Sequence, residues 1–305
     1  MEGLPLLLIA ILNPIAMANL FTRPNRCFSD NFIMQLLFQF IMRICAIGDP
    51  HGSLDKVKEV PLSDIDLILL TGDLGSANLM RKMAFDNIER KKQGLDEIEY
   101  TSAQKKKAFM EAYTSTMKIV KYLRRFAPVF TIFGNVESSN YDTRKQSRKI
   151  GVALPYLSND LNALPDVRVI NNRIANFEGV KIGGLEYFVD TNWVREFKPS
   201  DYKEKLAKAK KETDKVKQVL RWFNSLDILV CHQPPYEVLD KVTAKFAPKH
   251  WQGKHAGSQA ILQYIKSKSP KYVFCGHIHE DQGMKKIGET EVYNLGVGEY
   301  KIVEF

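Results

Sequence analysis

From Arg43 onward, short apolar runs alternate with amphipathic stretches. Arg43–Ile47 (RICAI) predicts a strand. Asp66–Thr71 (DLILLT) is a continuous apolar run, as a strand buried on both faces requires. Val129–Phe133 (VFTIF) predicts another. Short strands follow at Val167–Ile170, Arg173–Phe177 and Val180–Leu185, joined by Asn171-Asn172 and Glu178-Gly179, dipeptides that favour hairpin turns. Asp227–Val230 and Tyr272–Cys275 predict two further buried strands, and the tail from Glu291 to Phe305 predicts a final pair.

Between these lie helical patterns. One spans Ala77 to Lys92 and stops near Gly94. A second spans Ala103–Phe126, where Phe109, Tyr113, Met117, Val120 and Leu123 recur at spacings of four and three and so share one face; Pro128 ends it. Asp201–Arg221 predicts a lysine-rich helix with eight basic and four acidic residues. Its charges read as a solvated face, with an overhang that attracts anionic substrate as the alternative. Ser258 can cap a helix over Gln259–Lys268, with Pro270 just beyond. The alternation predicts an α/β fold built in layers.

Leu4–Phe21 stands apart as an almost wholly apolar stretch. Glu2 replaces the positive start a secretory signal needs, Pro5 and Pro14 interrupt the run, and more apolar sequence follows Ala16-Met17-Ala18. As a membrane span it is close to the minimum length. Met42 begins a natural first strand, so residues 1–41 read as a start-site artefact, with a membrane anchor or a signal peptide as alternatives. The domain is expected to run over 42–305, with membrane contact only if residues 1–41 are native.

The chain has 305 residues, 45% of them hydrophobic and 26% charged, which excludes disorder and a small disulfide scaffold. A net charge of +9 favours an anionic partner without identifying it. No pair among Cys27, Cys45, Cys231 and Cys275 has the spacing of a zinc ribbon. Three of them close apolar runs as small core hydrophobes, which fits a reducing compartment, the cytoplasm.

The polar residues carry the chemistry. Five predicted strands each end in a cluster of metal-type ligands: Gly48-Asp49-Pro50-His51-Gly52, Gly72-Asp73, Gly134-Asn135, His232, and Gly276-His277-Ile278-His279. Sites in open α/β sheets form beyond the carboxyl ends of strands, so these side chains are expected to converge. Carboxylate, imidazole and one amide oxygen suit a divalent first-row ion. On extended backbone, the members of Asp49-x-His51 and His277-x-His279 would point the same way. Each motif alone is an ordinary turn or core residue. But four of the six histidines fall in these clusters, a distribution that structural histidines do not explain.

The ordered set GDPHG, GDL, GNVE, CHQPPY and GHIHE, with HAGSQAI and YNLG, resembles the calcineurin-like metallophosphoesterase family from Met42 to the end. The resemblance implies a four-layer αββα β-sandwich flanked by helices, with a dimetal site at the C-terminal ends of strands. It implies that Asp49, His51 and His279 bind one metal, that Asn135, His232 and His277 bind the other, and that Asp73 bridges them. It further implies two divalent ions, manganese first and iron, zinc or nickel otherwise. A hydroxide activated between the ions would hydrolyse a phosphate ester, with Asp73, Asn135 and His232 as the catalytic set and Asn135 and His232 meeting substrate. No nucleophile motif is present.

In one position the chain departs from the family pattern. A histidine commonly follows the third-block asparagine and helps protonate the leaving group or steady the transition state; here it is Val136. General acid help is worth about 10²–10⁴-fold, so its loss should penalise esters with poor leaving groups. Some members of the family also lack this histidine and several of those favour phosphodiesters or activated esters, so the resemblance leans the expectation towards phosphodiesters. His250 and His255 read as solvent-exposed loop histidines, with substitution for the missing one as the alternative. A non-catalytic metal-binding scaffold of the same fold, and a nuclease or nucleotide hydrolase, are the competing functions. Tyr187, Phe188, Trp193, Tyr236 and Trp251 are candidates for stacking on a nucleobase or for the core. Oligomeric state is not legible.

Overall fold

In the computed structural model, which describes residues 41–199, 201–245 and 247–305, β1 (Arg43–Ile47) sends alternate side chains to two different cores. Ile44 and Ala46 join a cluster with Leu67, Leu69, Phe130 and Ile132 that meets Ile182, Ile228, Val230 and Phe274. Cys45 and Ile47 face the other way, towards Ile68, Leu70, Ile119, Val120 and Leu123. Strands apolar on both faces are the ones a two-sided burial selects.

Two sheets result. The first has the order β11-β1-β2-β3-β4, with β2 Leu67–Leu70, β3 Val129–Thr131, β4 Val167–Val169 and β11 Tyr300–Glu304. Its members are parallel except β11, which pairs antiparallel with β1. The second has the order β5-β6-β7-β8-β10-β9, with β5 Arg173–Phe177, β6 Val180–Leu185, β7 Ile228–Cys231, β8 Tyr272–Cys275, β9 Gly283–Ile287 and β10 Thr290–Asn294. Here β6, β7, β8 and β10 run parallel and the outer strands β5 and β9 antiparallel.

Helices cover both outer faces. The short helix α1 (Leu54–Lys58) is followed by α2 (Asn78–Lys92), which buries no side chain, and α3 (Ser102–Leu123), which packs Ile119, Val120 and Leu123 on the first sheet. Thr101 and Gln104 form a reciprocal capping box that starts α3. Next come α4 (Asn140–Ile150), α5 (Leu157–Asn162) and α6 (Thr191–Phe197). On the second sheet α7 (Tyr202–Trp222) packs Val216 and Leu220, and α8 (Gln259–Lys268) packs Ile261 and Ile265, against Leu229, Cys231, Val273 and Cys275. This is the expected αββα sandwich.

The Asn171-Asn172 link is a correction. It does not close a hairpin, because β4 lies in the first sheet and β5 in the second. The Asn171 side-chain oxygen Oδ1 accepts from the Phe133 N–H at 2.8 Å, and the side-chain amides of both asparagines donate to Glu186, so these side chains anchor a crossing between sheets. Glu178-Gly179 does make the hairpin: Phe177 pairs with Val180, and both turn residues have positive φ (47° and 91°). β9, short of apolar residues and exposed, was not expected, nor were α1, α4, α5 and α6. Most of the lysines of α7 face solvent. Cys45, Cys231 and Cys275 are buried and unpaired. Leu4–Phe21 and Cys27 lie outside the described residues, among which no helix is long and apolar enough to cross a membrane.

Candidate metal centre

The carboxyl ends of β1, β2, β3, β7 and β8 bring the predicted ligands to one place. Asp49 and Asp73 are buried (0% and 2% exposed), as is His232 (1%). Asp49 Oδ2 lies 3.2 Å from His279 Nε2, which is 3.2 Å from His51 Nε2. Asp73 reaches to both sides, with Oδ2 3.9 Å from His51 Nε2 and Oδ1 3.6 Å from His232 Nε2. Asn135 Oδ1 lies 3.1 Å from His232 Nε2. The His277 ring sits 4.9 Å from that of His232, centroid to centroid, and its backbone N–H donates to Asp49 Oδ2 at 2.6 Å. All seven predicted residues are therefore gathered.

The means differ from the alternation expected of extended backbone. His51, Asp73 and His277 all have left-handed backbones (φ 46°, 45° and 67°), a conformation that costs free energy outside glycine and concentrates where side chains must be aimed. His51 N–H donates to the Asp73 carbonyl at 2.9 Å, which locks the two turns together. As a consequence His277 and His279 do not share a side: His277 lies against His232, and His279 against Asp49 and His51. Gly134 and Gly276 permit the approach, since a Cβ on Gly134 would overlap the Asp73 carboxylate and one on Gly276 the Asp49 carboxylate.

Several residues support the ligands, and two of them, Thr71 and Arg81, escaped the sequence reading. Thr71 donates its hydroxyl to Asp49 Oδ1 at 2.8 Å, and its carbonyl accepts from His232 Nδ1 at 2.9 Å. That bond puts the His232 proton on Nδ1 and leaves Nε2 as the ligand atom. Glu137 accepts from the backbone N–H groups of Asp73, Leu74, Gly75 and Gly134, tying the β2 loop to the β3 loop. Arg81, on α2, brings Nη2 to 3.3 Å from His51 Nδ1. The Tyr187 ring lies 5.2 Å from that of His277. Apart from the Gly134–Glu137 bond, these contacts join residues far apart in the chain, and no local spacing announces them.

The electrostatics match a cation site. Burial alone would raise the Asp49 pKa, but the His232 charge, the His279 bond and the His277 N–H hold it below the usual carboxylate range. Burial would lower His232, yet Asp73 and Asp49 raise it. Burial, with His232 beside it, pushes His277 down to about 3, so it is a neutral donor at physiological pH. Burial and the nearby Asp73 push Glu137 up to about 7. Two ligand groups have their donor atoms within 4.8 Å of one another: Asp49, His51 and His279, and Asp49, Asp73 and His232. Buried carboxylates whose ion-pair partners are histidines are what a divalent ion of this donor preference would compensate. The residues present fit the metals the fold implies.

Of the candidate aromatics, Phe188 lies in the core of the second sheet, and Trp193 and Trp251 pack on Phe197. Tyr187 stands at the ligand cluster and Tyr236 against His255.

A two-sheet sandwich with carboxylate and imidazole donors gathered at its strand ends is the architecture of a candidate metal-dependent hydrolase, and the family match makes that class a metallophosphoesterase, a hydrolase of phosphoric esters. The profile of the Calcineurin-like phosphoesterase family matches residues 42–281, and the chain belongs to that family. A solved crystal structure aligns over 87% of this chain and 95% of its own, at 15% identity and a TM-score of 0.54. A dimetal phosphatase from Danio rerio aligns over 84% and 87%, at 12% identity and TM-score 0.43. Phosphopantetheinyl hydrolase from Mycobacterium tuberculosis aligns over 84% and 89%, at 13% identity and TM-score 0.45. No curated protein matches this chain.

Proposed function

We propose that the chain hydrolyses phosphodiesters, using two divalent ions, manganese foremost, held by Asp49, His51, Asp73, Asn135, His232, His277 and His279. The observation that carries this reading is the position of Asp73, whose two carboxylate oxygens face His51 on one side and His232 on the other. When bound, two such ions supply Lewis acidity, which acidifies water and neutralises phosphoryl charge. The family resemblance gives Asp49, His51 and His279 to one ion, Asn135, His232 and His277 to the other, and Asp73 to both.

The chain's own residues set the rest. Thr71 fixes the His232 tautomer and orients Asp49. Asn135 Oδ1 and His232 Nε2 lie 3.1 Å apart beyond the ends of β3 and β7 and would meet the phosphoryl group. Val136, where the family pattern commonly has histidine, offers neither a proton nor a positive charge. A monoester dianion needs that charge more than a diester monoanion does, which favours diesters. The net charge of +9 supports polyanionic diesters, nucleotides and nucleic acid among them. Three unpaired buried thiols support a reducing compartment. A complete ligand set argues against a scaffold that has lost its site.

The test is hydrolysis of bis-p-nitrophenyl phosphate against p-nitrophenyl phosphate by the full chain with Mn²⁺, Fe²⁺, Zn²⁺ or Ni²⁺. The diester is expected to be cleaved faster, and Asp73→Asn to cleave neither. Faster monoester cleavage would overturn the preference. Protein that binds two metals and cleaves neither compound would overturn the enzymatic reading.

A further inference from the structure

Outside the metal centre, two buried carboxylates converge on the four residues from His255 to Ser258. Asp240, fully buried, accepts from His255 Nδ1 at 2.6 Å and from the Gly257 N–H at 2.9 Å. Asp190, 2% exposed, accepts the Ser258 hydroxyl at 2.6 Å. A buried carboxylate is costly unless its bonds are made; besides accepting a backbone N–H of its own loop (Glu237 for Asp240, Asn192 for Asp190), each holds this segment. The His255 side chain remains 32% exposed, and among the described residues its Nε2 has no hydrogen-bond partner.

The segment is built into the same loops that carry the ligands. Ser258 N–H donates to the Pro234 carbonyl, and Tyr236 N–H to the Ser258 carbonyl, so His255–Ser258 runs beside the residues that directly follow His232. Asn294 Nδ2 donates to the Leu239 carbonyl at 2.9 Å and to the Ile278 carbonyl at 2.8 Å. That amide ties the residue before Asp240 to the residue between His277 and His279. The Tyr236 ring borders His255 at 5.6 Å. An imidazole oriented through Nδ1 by a buried carboxylate, with its second nitrogen open, is the arrangement that delivers a proton from Nε2.

We infer that the Asp240–His255 pair protonates the leaving group in phosphoester hydrolysis. This rests on the phosphoesterase reading above. Water adds to phosphorus, the P–O bond to the leaving oxygen breaks, and that oxygen takes the proton from His255 Nε2. The proton lost by the attacking water restores the imidazolium, so ester and water give alcohol and acidic phosphate. The positive charge missing at Val136 and the proton supplied by His255 are separate contributions, and both can hold at once.

The test compares wild type, His255→Gln and His255→Ala on methyl aryl and dialkyl phosphodiesters that differ only in leaving group. His255 is partly exposed, so its variants are expected to fold; metal content and melting temperature check this. The expected result is a loss of about 100-fold on phenyl and alkyl esters, which need a proton, and little change on the p-nitrophenyl ester, which does not. Added imidazole should restore His255→Ala on the phenyl ester. An equal loss for every leaving group, or no loss at all, with an active wild type would overturn the dyad alone. A wild type that cleaves no ester would overturn the phosphoesterase reading and the dyad with it.

Discussion

The backbone N–H of Val136 donates to Oδ1 of Asp73 at 2.8 Å, while the Val136 side chain is buried against Ala77 and Ala112. One residue thus supports the central carboxylate with its main chain and fills an apolar gap with its side chain. Val136→His keeps the first role and alters the second. It is expected to raise monoester hydrolysis relative to diester hydrolysis, and to lower stability by about 1–3 kcal/mol as a polar ring enters an apolar pocket. Paired kinetics and thermal melts check both. An unchanged ratio would remove Val136 as the cause of a diester preference.

Thr71→Val deletes the hydroxyl that bonds Asp49 and leaves the carbonyl that bonds His232. Partners of metal ligands typically hold 10–100-fold in metal affinity or activity, and a loss of about that size is expected. Metal titration by calorimetry reads it directly.

Gly134→Ala is expected to abolish activity, because the new methyl overlaps the Asp73 carboxylate and the His232 ring. Gly94→Ala serves as the contrast: its Cβ would meet nothing within 4 Å, so only its positive φ is strained, and activity should stay near wild type. Turnover of the two variants at equal metal loading separates crowding at the site from a general effect of glycine loss.

Chelation removes the compensation for two buried carboxylates. The stripped protein is expected to melt at lower temperature, and readdition of Mn²⁺ to restore it, by about 2.7 kcal/mol for each ion at a free concentration about 100-fold above its Kd. Scanning calorimetry of chelated and reloaded protein measures the shift. Asp73→Asn should blunt it.

The central strands were legible because burial on two faces leaves continuous apolar runs, as in Leu67–Leu70. The ligands were legible because each follows such a run directly. What the sequence withheld depends on distance along the chain. Thr71 reads as the last residue of a strand until His232, from the second sheet, is brought to its carbonyl. His255 reads as a loop histidine until Asp240 is seen beside it. The Asn171-Asn172 link has the composition of a turn, and only the meeting with Phe133 and Glu186 turns it into a crossing. The outer strand β9 carries two lysines and little apolar pattern, so nothing local marked it.

The ligands are divided between the two sheets: Asp49, His51, Asp73 and Asn135 follow strands of the first, His232, His277 and His279 strands of the second. Under the proposed assignment each ion would draw donors from both halves. Captured cations would act as rivets through the sandwich, so catalysis should vanish at the first parting of its halves, well before the helices melt, and turnover becomes a sensitive gauge of whether the halves remain closed.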